Sequence, residues 1–396
     1  MSEEQGGVVK LVMYQDCISP HQIPLARELA QSVGIDEFRY VYRDKAQSGR
    51  TSIGWSMDGY EDWMIHIGSR PAEAQSAVEE SECLLTMFRD MALFERRAAR
   101  GLRTFLQTER WFKPRAGILR LLSPSYRRMA RRFVRLLDCG SVVYLPMGIH
   151  AARDMARLCG LMHGDLRCLF RAPRLEFERW PGGGMWIKDE PRNTLNTRKY
   201  CLGMMRMWGY FVEKRGGVGS DGVMELNGQN SNALRVLWVG RLLDWKRVDT
   251  IIRAVWCLAF QTSQTILLDI CGAGPEEGRL KKLAAKYGDA IRFYPPVPIG
   301  EVRKFMRGHD VYVLASNGYE GWGAVASEAL EEGMRVLGTY EAGSSATILP
   351  KERLFHAGDW RALMKLLERE ISSDLPPCSI GKWTAKEAAG RLVDMV

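Results

Sequence analysis

The stretch LRVLWVGRLLDWKRVDTIIRAVWCLAF, residues 234–260, decides the fold. Leu234 to Val239 is an apolar run of strand length that stops at Gly240. A polar, basic loop follows, and from Val248 to Phe260 apolar residues return at helix spacing. The alternation then continues. Thr265–Ile270, Ile291–Tyr294, Val311–Leu314 and Val336–Thr339 read as strands. Pro275–Tyr287, Ile299–Arg307 and Val325–Glu332 read as helices between them. Strand and helix in turn make a parallel sheet covered on both faces. Further toward the N-terminus the same pattern recurs: strands at Val8–Tyr14, Phe38–Tyr42, Cys83–Phe88, Arg103–Leu106 and Ser141–Leu145, with helices from His21 and over Asp90–Arg100.

Two such alternations predict an α/β chain of two Rossmann-like domains. Residues 1–215 form the first and 216–378 the second, with a C-terminal helix in 379–396 packing back toward the first. The stretch Phe177–Glu225, which holds Pro181-Gly182-Gly183-Gly184 and Gly216-Gly217, lacks a clear period, and Gly216 to Asn232 reads as the linker to the second domain. Such domains bind ligands at the carboxyl ends of their strands. With 396 residues, 46% hydrophobic and 26% charged, the chain is long enough for both cores. Nine scattered cysteines without a CxxC pair argue against a disulfide framework and against a zinc site. No leader pattern and no run of 18 apolar residues occurs, so the expected location is cytoplasmic. The net charge of +9 points to a polyanionic or phosphate-bearing partner.

Four loops follow strands in the second half. In the first, Gly240 lets backbone approach a ligand, and Arg241 and Lys246 bring a guanidinium and an ammonium suited to a diphosphate. The alternative is a solvated basic loop. Gly272-Ala273-Gly274-Pro275-Glu276 is weaker, because glycine at a strand–helix turn is often a packing device. Glu320-Gly321-Trp322-Gly323-Ala324-Val325 enters the helix that carries Glu328. Its glycines open backbone amides at a helix N-terminus, where anions bind, and its acids suit sugar hydroxyls. The spacing leaves open whether Glu320 and Glu328 share one face. The fourth, Tyr340-Glu341-Ala342-Gly343-Ser344-Ser345, reads as a turn or as one wall of the site.

In this order, Gly-Arg…Lys, Gly-x-Gly-Pro-Glu and Glu-x7-Glu, the chain resembles the retaining glycosyltransferases of the GT-B fold, the large family four. The resemblance is strong over Leu234–Ile348 and weaker over residues 1–210. It implies two Rossmann-like domains with parallel sheets facing across a cleft. It implies that Arg241 and Lys246 hold the donor diphosphate, that Glu320 binds donor-sugar hydroxyls and that Glu328 binds the nucleotide ribose. Backbone at Gly240, Gly274 and Gly321 to Val325 would line the donor, Trp322 would shape the sugar pocket, and the Tyr294–Pro298 loop, with Val297, would border the base. The co-substrate is a nucleoside-diphosphate sugar, with no metal and no further cofactor. The resemblance further implies a hexosyltransferase-type reaction, with retention, onto a glycan or lipid-linked acceptor in polysaccharide or glycolipid biosynthesis.

The N-terminal half departs from that pattern. Asp16-Cys17-Ile18-Ser19-Pro20-His21 stands where a glycine-rich turn is common. His150 is a candidate for the catalytic side, and Ser19 and His21 for the acceptor side. Residues 111–137 carry Lys113 and seven arginines, interleaved with apolar residues and free of acids. This is either a helix lying apolar side down on an anionic membrane, making the enzyme peripheral on the cytoplasmic face, or a core-packed helix with a solvated basic face. Without a recognition motif beside it, nucleic acid is not the expected partner. A non-catalytic GT-B subunit that binds nucleotide sugar and supports a partner enzyme remains the alternative to transfer, and a GT-B isomerase a third.

Overall fold

Strand β1 (Leu11–Cys17) is buried along most of its length, as expected where helices cover both faces of a parallel sheet. The computed structural model describes residues 9–19, 22–44, 61–114, 116–169, 176–179, 185–188, 233–379 and 385–396; His21 lies outside them. After β1 come α1 (Ile23–Val33), β2 (Phe38–Asp44), β3 (Met64–His66), α2 (Pro71–Glu80), β4 (Cys83–Thr86), α3 (Met91–Ala99), β5 (Arg103–Thr108), α4 (Pro124–Asp138), β6 (Val142–Pro146) and α5 (Ile149–Met162). A small antiparallel ribbon, β7 (Glu176–Arg179) and β8 (Met185–Lys188), follows.

The six strands of the first sheet are parallel and ordered β3-β2-β1-β4-β5-β6. The second sheet contains β9 (Leu234–Val239), β10 (Ile266–Cys271), β11 (Ile291–Tyr294), β12 (Val311–Leu314), β13 (Arg335–Thr339) and β14 (Leu354–Phe355). Its order is β11-β10-β9-β12-β13-β14. Both sheets therefore have the doubly wound order, reversing between their first and fourth strands. A crevice opens at the carboxyl ends of the strands at such a point. In the second sheet it lies between β9 and β12.

Alternation along β9 explains the layers. Leu234, Val236 and Trp238 pack with α6 (Val248–Gln261) and with the late helix α11 (Trp360–Ile371). Leu237 turns to the opposite face, against α8 (Ile299–Met306) and α9 (Ala324–Glu331). The helix read at Pro275–Tyr287 is shorter, α7 (Glu277–Ala284), and continues as a 3-10 turn with Gly288 at φ 65°. A short helix, α10 (Gly343–Ile348), follows β13.

The chain divides into two compact units, and the last helix, α12 (Ala385–Val393), belongs to the first. Its Ala385, Ala388, Ala389 and Leu392 are buried with Leu25, Leu29 and Phe38.

The basic stretch has a definite placement. Ser123 caps α4 and Pro124 occupies its first turn. Ala130, Phe133, Val134, Leu136 and Leu137 face the core, where Phe133 stacks on Trp111 at 5.0 Å. The apolar side of α4 is thus covered by the protein itself and is not available to a bilayer, which corrects the apolar-side-down reading. Arg127, Arg128, Arg131, Arg132 and Arg135 are exposed. Among the described residues no helix is long and apolar enough to cross a membrane, and every described cysteine is free.

Candidate functional site

At the end of β9 two loops run backbone against backbone. The amide of Gly240 donates to the Cys271 carbonyl at 3.0 Å and that of Leu242 to Ala273 at 2.9 Å. A Cβ on Gly272 would lie 1.9 Å from the Gly240 carbonyl oxygen, and one on Gly274 would lie 2.4 Å from that of Leu242. Close backbone packing therefore accounts for both glycines.

Across the point where the strand order reverses, the β9 and β12 loops meet. Lys246 Nζ lies 2.5 Å from Glu320 Oε2, and Ser316 Oγ donates to the same oxygen at 2.7 Å. The ammonium also sits 4.4 Å from the centroid of the Trp245 ring. The Asn317 amide donates to the Trp245 carbonyl at 2.9 Å, tying loop to loop. Thr339 Oγ1, from β13, holds the Ser316 carbonyl at 2.5 Å. Glu320 is 7% exposed, so its charge is compensated by a fixed cation and a fixed hydroxyl rather than by water. The sequence reading assigns Ser316 and Thr339 no role. The only signal for them is a hydroxyl residue just past or at the end of a strand.

Tyr312, on β12, is fully shielded. Burial pushes its hydroxyl well above the usual phenol range, and the charges of Glu320 and Glu328 push it further. Both acids thus act electrostatically on one buried hydroxyl. Gly323 enters α9 with φ 83°, a left-handed conformation that side-chain-bearing residues seldom adopt. Ser344 Oγ donates to its carbonyl at 3.1 Å, and the amides of Gly343 and Ser344 donate to the carbonyls of Gly321 and Trp322. The Tyr340–Ser345 loop is therefore fastened to the Gly-Trp-Gly loop and opens α10. Among the described residues no group of three or more His, Cys, Asp or Glu side chains comes together as a metal site.

The glycosyl transferases group 1 family model matches residues 224–381, the segment that contains all of these loops. Over that segment the chain is similar to the glycosyl transferases group 1 family. An uncharacterized glycosyltransferase of Methanocaldococcus jannaschii is 32% identical over 120 residues, a match spanning 30% of this chain and 30% of that protein. Among solved structures, Anabaena HepE in complex with UDP has a TM-score of 0.55 at 13% identity, covering 97% of this chain and 94% of that one. WaaG, a glycosyltransferase involved in lipopolysaccharide biosynthesis, has a TM-score of 0.51 at 15% identity, covering 96% and 93%. At these identities the likeness is one of fold, and the fold is GT-B.

The remaining candidates are less tightly held. Arg241 is exposed and makes no ion pair with a described residue. Trp322 is 5% exposed, so its ring is packed inside the loop rather than presented on its surface. Val297 is half-buried in the loop after β11, where the neighbouring Pro295 carbonyl accepts from Cys271 Sγ at 3.3 Å. In the N-terminal unit, His150 lies in the first turn of α5, after β6. The carbonyl of Ser19 accepts the amides of Gln22 and Ile23 at the start of α1.

Proposed function

We propose that the protein transfers a sugar from a nucleoside diphosphate to a glycan or lipid-linked acceptor, with retention at the anomeric carbon, in polysaccharide or glycolipid assembly. The observation that carries this reading is the Lys246–Glu320–Ser316 contact spanning the reversal point of the second sheet. It sets a cation and a carboxylate, both anchored, at the place where an open α/β sheet takes its ligand. An ammonium has three donors, so Lys246 can keep Glu320 and still meet a phosphate oxygen. Arg241 supplies a second cation from solvent.

As the bond from sugar to diphosphate breaks, negative charge grows on the leaving phosphate. Arg241, Lys246 and the amides at the start of α9 stabilise it. Losing one such preorganised donor costs roughly 3–4 kcal/mol of barrier. Glu320 is poised for sugar hydroxyls and Glu328 for the ribose. The departing phosphate takes the acceptor's proton, so no dedicated base is required. The exposed cations of α4 support peripheral association with an anionic membrane.

Thermal stabilisation by a panel of nucleoside diphosphates and their sugar conjugates tests the donor reading. At about 100 times its dissociation constant a ligand adds about 2.7 kcal/mol. The expected result is a shift with one nucleotide series, uridine included in the panel, that disappears in Arg241→Ala and Glu328→Ala. No shift with any nucleotide in well-folded protein sinks it. Binding without turnover of donor, alone or with acceptors, would turn the reading to a non-catalytic subunit.

A further inference from the structure

The two carboxylate oxygens of Glu320 have different surroundings. Oε2 takes both described donors, Lys246 Nζ at 2.5 Å and Ser316 Oγ at 2.7 Å. Oε1 accepts from no described residue, and it is not among the polar atoms shut off from solvent. One oxygen is spent on the protein and the other is open.

Hydroxyls buried beneath the loop decide which oxygen is which. Ser316 and Thr339 are 0% exposed and Ser345 is 1% exposed. Thr339 Oγ1 donates to the Ser316 carbonyl at 2.5 Å, and Ser345 Oγ donates to the Thr339 carbonyl at 2.6 Å. A carbonyl only accepts, so the hydrogens of these two hydroxyls are committed to backbone. Ser316 gives its single hydroxyl hydrogen to the carboxylate. Its backbone is also pinned from the other side, because the Asn317 amide donates to the Trp245 carbonyl at 2.9 Å. The end of β12, the end of β13 and the first turn of α10 thus act together on the placement of one Oγ.

The carboxylate needs such a guide. Its stem is confined: a Cβ on Gly323 would lie 3.4 Å from Glu320 Cγ. The terminal torsion of a glutamate, however, is broad and roughly two-fold. An ammonium is a point charge with three rotatable donors, so Lys246 alone can hold either oxygen or straddle both. A hydroxyl with a fixed oxygen and one hydrogen lacks that freedom. Lys246 supplies the charge and Ser316 the direction. We propose that Ser316, held by Thr339, is a positioning residue that reserves Glu320 Oε1 for a hydroxyl of the donor sugar. The donor sugar in that statement rests on the transfer reading above. Without the Ser316 hydroxyl, the ammonium can draw both oxygens to itself and withdraw the open one from the sugar.

Donor turnover tests this, read as release of nucleoside diphosphate from the nucleotide sugars of the same panel, beside titration calorimetry with the nucleoside diphosphate alone. Ser316→Ala should lower kcat about tenfold to a hundredfold. Its affinity for the nucleoside diphosphate should stay within about twofold of wild type, because Glu320 meets the sugar and not the nucleotide. Thr339→Val should lower kcat in the same sense, and Thr339→Ser, which restores the hydroxyl, should return most of it. A role in stability alone would lower kcat and nucleotide affinity together. Unchanged kcat in Ser316→Ala, or a fall matched by an equal fall in nucleotide affinity, overturns the proposal. Ser316→Ala removes a single oxygen atom and decides the matter if circular dichroism shows that Thr339→Val does not fold. A wild type that turns over no nucleotide sugar overturns the transfer reading and the proposal with it, whereas an active wild type with indifferent variants overturns the proposal alone.

Discussion

Lys246 and Glu320 stand 74 residues apart and share one hydrogen bond. Removing one partner of a shielded pair leaves the other charge without compensation, which costs more than the pair itself contributes. Lys246→Met should therefore lose about 2–3 kcal/mol of stability, measured by urea denaturation of the second unit. Lys246→Met/Glu320→Gln should recover much of that loss while donor turnover stays absent. If the double variant is no more stable than the single, the pair is not what the lysine supports. Gly272 carries a different constraint. An alanine there would place its Cβ 1.9 Å from the Gly240 carbonyl oxygen, and neither backbone can withdraw without breaking its bonds to the other loop. Gly272→Ala should cost about 3 kcal/mol or more, an effect readable in the same denaturation curve. A near-neutral result would mean the two loops are held less closely than the structure shows.

Elements add constraints that single residues lack. In α4 the Ser123 cap, Pro124 and the 3.6-residue apolar period are all legible in the sequence, but periodicity reveals a stripe and not what covers it. The structure covers it with the N-terminal core. Phe133→Ala should accordingly cost about 3–5 kcal/mol in the first unit, whereas a bilayer-facing phenylalanine would leave stability in solution unchanged. A second case joins α8 to α9, where Arg303 bonds Glu331 at 2.9 Å and Glu332 at 3.0 Å. Burial pushes the Glu331 carboxyl from 4.5 up to about 8; Arg303 opposes the rise, while Glu328 and Glu332 add to it. The folded value lies above the unfolded one, so the folded state holds the extra proton between them. The stabilisation is complete below the unfolded value and is lost as pH rises through about 8. Midpoints measured between roughly pH 5 and pH 9 should decline more steeply in wild type than in Glu331→Gln. Parallel curves would show that the carboxyl stays ionised in its ion pair.

At the scale of the whole molecule, the chain builds two doubly wound sheets and returns its last helix to the first. Ala385, Ala388, Ala389 and Leu392 cover Leu25 and Leu29 of α1. A chain ending at Ile380 should uncover that face. Calorimetry should then show a lower transition for the N-terminal unit and an unchanged one for the unit that carries the donor loops. A uniform drop of both transitions would mean that the helix stabilises the two units together.

Strand and helix alternation, the loops after the strands and their Gly-Arg…Lys and Glu-x7-Glu spacings were legible because they are local. Period, chain breakers and residue type are properties of neighbouring positions. Tertiary structure alone decided that Lys246 closes on Glu320 with Ser316 and that the apolar stripe of α4 faces inward. Each of these depends on which strands lie side by side, and strand order is set by packing between residues distant in sequence, which no local pattern encodes.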